Sequence, residues 1–391
     1  MSLWWAKKDQ LDGDQMRLIE RLPMRENHLV LGPPGSGKTN VLLRRAQYVR
    51  SQGMPNVLVL SFTRALTEFV KTGCYDDQNR EIFPKNLVST IEGWTRSLYK
   101  EHGQALPDTN HMKFVERKAF VATAALDLVK RNKLPRFETI FVDEAQDLLA
   151  EEVELLRAWS PTLFMVGDDR QKIWDYAAGL DAVRAQVTGL NEERLTSHYR
   201  LAPELCEMAD RIQTAENGQA LLTNSHYTGP KPGKIEKNGP LKRSAQLSAA
   251  AERLHDQLRV YGDLIAQGDR LGVIVPRTDD RELVLRTFDA DERLAGKSQI
   301  IRARSGDEDD YDYNPAFDPE RPISILTEKG SKGLEFRAAH WLFCDEDQQY
   351  RTAETYYTMI TRPKTRLDLY FASDLPMTLA KAYTPPVDPE W

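Results

Sequence analysis

The stretch Leu29-Val30-Leu31-Gly32-Pro33-Pro34-Gly35-Ser36-Gly37-Lys38-Thr39-Asn40-Val41-Leu42-Leu43 decides the fold class. An apolar run enters it, glycine and proline fill its middle, and a helical pattern leaves it. Gly32 to Thr39 fits G-x-x-x-x-G-K-[ST] in full, and strand before and helix after is the context that pattern requires. Its glycines let backbone N–H groups turn inward onto phosphate oxygens. Lys38 is placed to reach β- and γ-phosphates, Thr39 to ligate Mg²⁺, and the following helix aims its positive end at the anion. The expected nucleotide cradle is therefore Gly32, Pro33, Pro34, Gly35, Ser36, Gly37, Lys38, Thr39 and Asn40.

A second stretch, FVDEAQD from Phe141 to Asp147, completes such a site. It ends an apolar strand, so Asp143 and Glu144 should emerge at the carboxyl edge of a sheet beside the phosphate loop. Asp143 is the expected partner of Thr39 in holding Mg²⁺, directly or through water. Glu144 is the expected residue that polarises the attacking water. Phosphoryl transfer asks mainly for positioning and charge neutralisation, and these two motifs together imply hydrolysis of a nucleoside triphosphate. They leave open what hydrolysis drives.

Outward from these motifs the chain alternates short apolar runs with longer helical patterns. Strands are expected at 28–32, 57–63, 139–144 and 163–168, then at 272–275, 299–303, 323–327, 340–343 and 367–371. Continuous apolar runs are the mark of strands covered on both faces of a parallel sheet. Two α/β units in tandem follow, with residues 1–190 and 191–391 as the expected domains and a small helical insertion at about 95–137. The stretch 224–240, NSHYTGPKPGKIEKNGP, reads as a surface loop, as does the run 305–320, with seven acidic residues and no basic one.

Composition narrows the setting. Hydrophobic residues make up 41% and charged residues 29% of the 391, a globular profile. No apolar run nears the roughly 18 residues of a membrane span, and no secretory signal is read at the start. Cys74, Cys206 and Cys344 lack metal-ligand spacing and fit a reducing, cytoplasmic setting. The net charge of −6 excludes recognition of nucleic acid by bulk charge.

Further segments fall in order: SFTRALTEFV from Ser61, STIEGW from Ser89, VGDDRQKIWDYAAG from Val166, LTSHYRLAPEL from Leu195, VIVPRTDDRELVLRTF from Val273, ILTEKGSKGLEF from Ile325 and YYTMITRPKTRL from Tyr356. With these motifs the chain from Gln15 to about Phe371 resembles superfamily 1A helicases of the UvrD/Rep/PcrA type. The resemblance implies two tandem RecA-like P-loop domains with parallel sheets and an ATP site in the cleft between them. It implies an ATP hydrolase with ATP and Mg²⁺ as ligands, acting as a 3′-to-5′ translocase or helicase on single-stranded nucleic acid, DNA favoured over RNA. It implies that Gln15 reads adenine, Gln171 senses the γ-phosphate, Tyr199 stacks on the base, Arg200 and Arg362 act as arginine fingers, and Glu335 contacts the ribose or its surroundings. The nucleic-acid track it implies runs over Phe62, Thr63, Arg64, Thr90, Trp94, Trp174, Tyr176, Arg277, Thr327 and Lys332.

The chain departs from that pattern in places. The short separations between motifs leave no room for the family's large regulatory insertions. GDDDQSIY becomes GDDRQKIW, with Arg170 and Lys172 as added charge, and LTRAK becomes ITRPK. A second reading therefore stands beside the motor: a nucleotide-controlled sensing or gating subunit of a larger repair or phage-defence assembly. A monomer, with a protein partner for loading or regulation and no membrane contact, is the expectation for the isolated chain.

Overall fold

The computed structural model describes residues 5–76, 78–109, 111–132, 137–171, 179–214, 220–301 and 317–383. The first sheet holds β1 (Asn27–Leu31), β2 (Val57–Leu60), β3 (Val88–Ser89), β4 (Thr139–Val142), β5 (Leu163–Gly167) and β6 (Leu190–Arg194), in the order β3-β2-β4-β5-β1-β6. The second holds β7 (Lys234–Asn238), β8 (Leu271–Val275), β9 (Ser298–Ile300), β10 (Ile323–Thr327), β11 (Phe336–Trp341) and β12 (Pro363–Tyr370), in the order β7-β12-β11-β8-β10-β9. Every strand pair in both sheets is parallel. Two parallel α/β sheets in tandem are thus present, the layout expected of RecA-like units.

Helices of the first half are α1 (Gly13–Glu20), α2 (Lys38–Ser51), α3 (Arg64–Thr72), α4 (Ile91–Glu101), α5 (Phe114–Asn132), α6 (Ala150–Trp159) and α7 (Gly179–Gln186). Those of the second are α8 (Pro203–Ile212), α9 (Arg243–Val260), α10 (Gly262–Ala266), α11 (Thr278–Asp289), α12 (Ala353–Ile360) and α13 (Met377–Ala382). The helices cover both faces of each sheet, which explains the unbroken apolar runs of the inner strands. Leu29, Leu31, Ile140, Val142, Leu163 and Met165 enter one core, while Val30, Phe141, Phe164 and Val166 enter the other. This two-residue alternation is the strand period. A smaller apolar cluster joins Ala65 of α3 to Ile301, Leu326, Leu334 and Phe336, and seals the two halves together.

Three differences from the sequence reading have physical causes. The loop expected at 224–240 contains β7, which pairs with β12. Its residues Lys-Ile-Glu-Lys-Asn are polar because it is an edge strand, and charge on an edge discourages pairing with other chains. Residues 190–194, placed at the domain boundary, form β6, a polar edge strand of the first sheet in the same way; it pairs with β1, so that sheet runs to Arg194. The strand expected at 340–343 begins at Phe336 and ends at Trp341. Most of the acidic run 305–320 lies outside the described residues.

Because β4, β5 and β1 are neighbours, the loops that leave their carboxyl ends lie side by side. Those loops begin with Asp143, Asp168 and Gly32. That adjacency creates the site.

Candidate functional site

The phosphate loop is shaped by two left-handed residues, Gly35 at φ +78° and Gly37 at φ +81°. A side chain at Gly35 would put its Cβ 2.5 Å from Cβ of Arg200, and one at Gly37 would meet the Gln15 amide at 2.6 Å. Both positions are therefore glycine for conformation and for close approach. No side chain caps the first turn of α2, which leaves the positive end of that helix directed at the loop. The Ser36 hydroxyl is buried without a hydrogen-bond partner. This is a cradle suited to an anion.

Lys38 folds back across the loop and donates to the carbonyls of Gly32 at 2.7 Å and Pro33 at 2.9 Å. Burial lowers its pKa, offset mainly by Asp168. Asp168 is buried, with Oδ2 4.0 Å from Lys38 Nζ. Sequence reasoning passed over Asp168, although it occupies the same place after β5 that Asp143 occupies after β4.

Thr39 Oγ1 donates to Asp143 Oδ2 at 2.9 Å, so the two residues expected to hold Mg²⁺ already meet. Burial, with Glu144 alongside, pushes the Asp143 carboxyl up to about 7. Among the described residues no cluster of three or more His, Cys, Asp or Glu side chains could cage a metal. One hydroxyl and one carboxylate are nevertheless the donor types that suit Mg²⁺, which takes the rest of its shell from phosphate and water. Glu144 sits at φ +54°, a left-handed conformation uncommon outside glycine. Its carboxylate accepts from the Gln146 amide, and Gln146 Oε1 in turn accepts from Asp168 N at 3.1 Å. Gln146 thereby ties the two acidic strand ends together, a role the sequence did not signal.

The remaining nucleotide candidates fall around this loop. Gln15 is buried, donates to Ser36 O at 2.9 Å and accepts from Asp12 N at 3.1 Å, so its amide braces the loop. Asn40 turns its side chain away, accepting from Ala6 N at 3.0 Å. Tyr199 is exposed, gives its N–H to Gly35 O at 3.1 Å, stacks on His226 and donates its hydroxyl to Asp12. Pro33 and Pro34 are buried in the loop.

Two arginines arrive from beyond the first sheet. Arg200 lies against Gly35 and pairs with Glu335 at 2.5 Å and with Thr361 O at 3.0 Å. Glu335 also lies 3.8 Å from Lys364, and these cations hold its pKa down against burial. Glu335 therefore meets Arg200 here. Arg362, fully enclosed, donates to Leu334 O at 3.0 Å, to Thr358 O at 2.9 Å and to Gln171 Oε1 at 3.0 Å. Gln171 and Arg362 belong to different sheets, so this bond spans the cleft.

Beside this site a cavity of about 410 Å³ opens between the halves, lined by Phe62, Thr63, Arg64, Thr90, Lys118 and Thr327 among others. Lys118 Nζ lies 4.3 Å from the centre of the Phe62 ring, a cation–π contact from α5 that sequence reasoning missed. Four of the expected track residues thus share a cavity with Thr327 of the second half. Three others do not. Lys332 is buried, with its ammonium 2.6 Å from Asp147 and 2.6 Å from Gln171 O; it bridges the halves and has no free face. The half-buried Trp94 ring packs against Trp159 and Phe137 at the margin of the core. Arg277 stands exposed, paired with Asp347 at 2.8 Å. Trp174 and Tyr176 lie outside the described residues.

Comparisons with known proteins add the following. No curated protein matches the chain. Among solved structures it is similar to the PRRSV helicase, at 13% identity and a TM-score of 0.43, over 90% of this chain and 55% of that one. It is also similar to the C-terminal domain of a "possible DNA helicase" from Lactobacillus plantarum WCFS1, at 18% identity and a TM-score of 0.32, over 47% of this chain and 94% of that one. No helix among the described residues is long and apolar enough to cross a membrane. Residues 15–176, which carry the phosphate loop, Asp143, Glu144 and the 168–171 segment, match the model of a P-loop family, AAA_19, described as an AAA domain.

Proposed function

We propose that this chain is an ATP-driven motor that moves along single-stranded nucleic acid, DNA in preference to RNA, with 3′-to-5′ direction. The observation that carries the reading is the bond from Arg362 to Gln171, three residues from the Asp168 carboxylate that faces Lys38. It ties a second-sheet cation to the phosphate loop of the first, so that filling the loop can change how the halves sit.

In this reading Lys38 leaves the carbonyls of Gly32 and Pro33 for the β- and γ-phosphates. Thr39 and Asp143 would hold Mg²⁺, which when bound would neutralise charge on the phosphate oxygens. Glu144, freed from Gln146, orients and polarises the attacking water. Arg200 and Arg362 meet the charge that grows on the transferred group, and planar guanidinium groups suit it. The cavity at Phe62, Arg64 and Lys118 offers an aromatic face and cations to a strand. Stacking there is worth about 1–3 kcal/mol per base and tolerates any sequence, as a stepping motor requires.

The test is ATP hydrolysis by Lys38→Ala, Glu144→Gln and Arg362→Ala. The first two should abolish turnover. The third should keep nucleotide binding and lose hydrolysis. Near-normal turnover in Lys38→Ala or Glu144→Gln would sink the assignment.

A further inference from the structure

Arg170 is the departure from the GDDDQ pattern, and its guanidinium is enclosed near the phosphate loop. Its side chain is 6% exposed, yet among the described residues Nε and Nη1 have no hydrogen-bond partner. A buried charge is costly unless compensated, and two neighbours compensate this one. Asp168 Oδ1 lies 3.9 Å from Nε and also accepts Arg170 N at 3.0 Å. On the other side the guanidinium sits 4.9 Å from the centre of the Tyr357 ring. Tyr357 is fully buried on α12, five residues before Arg362, and its hydroxyl has no partner.

The second oxygen of Asp168 completes the line. Oδ2 faces Lys38 at 4.0 Å and accepts no hydrogen bond among the described residues. Asp168 is thus shared between a lysine of the phosphate loop and an arginine that leans on the other half of the molecule. When a triphosphate draws the Lys38 ammonium to itself, Arg170 is the ion-pair partner within 4.0 Å that Asp168 keeps among the described residues. The guanidinium must then follow Asp168 or stay on the ring, and either choice changes its grip on α12.

We propose that Arg170 is a positioning residue that relays occupancy of the phosphate loop, through Asp168 on one side and the Tyr357 ring on the other, to the helix that leads into Arg362. The relay rests on the reading of the Lys38 loop as a triphosphate site. It assigns Arg170 no contact with the phosphates.

The experiment uses the full chain with Mg²⁺ and a slowly hydrolysed ATP analogue. It reads analogue affinity, steady-state ATP hydrolysis and hydrogen exchange of α12. Arg170→Ala should lower kcat about 10- to 30-fold, the scale of a desolvated cation–π contact, with KM little changed. It should also erase the analogue-dependent protection of α12. Tyr357→Phe should behave as the unaltered chain. Tyr357→Leu should copy Arg170→Ala, and the double variant should be no worse than either. Additive losses in the double variant would overturn the relay, as would analogue affinity falling in step with kcat, which would make Arg170 a phosphate ligand. If Arg170→Ala does not fold, Arg170→Met decides: it keeps the length of the side chain without the charge, and unchanged kcat overturns the relay. An unaltered chain that binds the analogue no better than Lys38→Ala would overturn the parent reading as well.

Discussion

Replacing Lys332 with methionine removes one partner of an ion pair that closes the cleft. Lys332 is 1% exposed and Asp147 0%, and the ammonium reaches both carboxylate oxygens, at 2.7 and 2.6 Å. Burial raises the Asp147 pKa to about 6, even with Lys332 working against that rise. Orphaning a buried partner costs about 3–5 kcal/mol. Lys332 and Asp147 sit on different halves, so the orphaned carboxylate has an escape: the halves can part and let water in. The loss should therefore appear as opening of the cleft before it appears as unfolding of either sheet. At about 1.4 kcal/mol per factor of ten, hydrogen-exchange protection of the 145–147 turn should fall by about two to three and a half orders of magnitude. The strand amides of β4 and β5 should stay protected. Joint replacement, Lys332→Met with Asp147→Leu, should recover most of the loss, because two apolar groups leave no charge stranded. Unchanged protection in Lys332→Met would refute the account of the pair as the clasp of the cleft.

Three other outcomes follow from the site. Gly35→Ala forces a left-handed backbone on a residue whose Cβ would stand 2.5 Å from Arg200; the strain of about 1–3 kcal/mol should weaken nucleotide binding about tenfold or more, measured by titration. Trp94→Ala should cost about 3 kcal/mol in a denaturant melt but leave the ratio of strand-stimulated to basal hydrolysis intact, since the ring packs on Trp159; loss of stimulation at full stability would reverse that placement. Metal ligation needs the ionised Asp143 carboxylate, and its pKa is raised to about 7, so Mg²⁺–nucleotide affinity should fall as pH drops through 7, by up to about tenfold per unit. Without metal the sign is opposite. The folded chain keeps a proton that the unfolded chain loses above about 3.9, so this group costs stability as pH rises from about 4 to 7, which a pH series of melts would reveal.

How much of this was legible follows from how local each signal is. The phosphate loop is one contiguous stretch whose glycines, lysine and threonine act together, so its form was readable. The inner strands were readable because burial on both faces forces unbroken apolar runs. The edge strands β6 and β7 carry polar residues for the opposite reason, and they were missed. Lys332 entered the track through the resemblance, which carries no information on local pairing; only the fold reveals that Asp147 waits across the cleft. Trp94 is a similar case, since an aromatic in the first turn of a helix can face a base or a core, and here the ring packs on Trp159. Gln146 and Lys118 gave no signal, because Asp168 and Phe62, which they reach, lie far from them in sequence.

The account rests on coupling between the phosphate loop and the cleft at Phe62, Arg64 and Lys118. The direct measurement is ATP hydrolysis by the full chain with single-stranded DNA, single-stranded RNA and duplex DNA, side by side across a salt series. The account predicts stimulation by single strands, greatest with DNA and fading with salt as phosphate contacts are screened, and none in Lys38→Ala. Hydrolysis that no nucleic acid stimulates at any salt would contradict it.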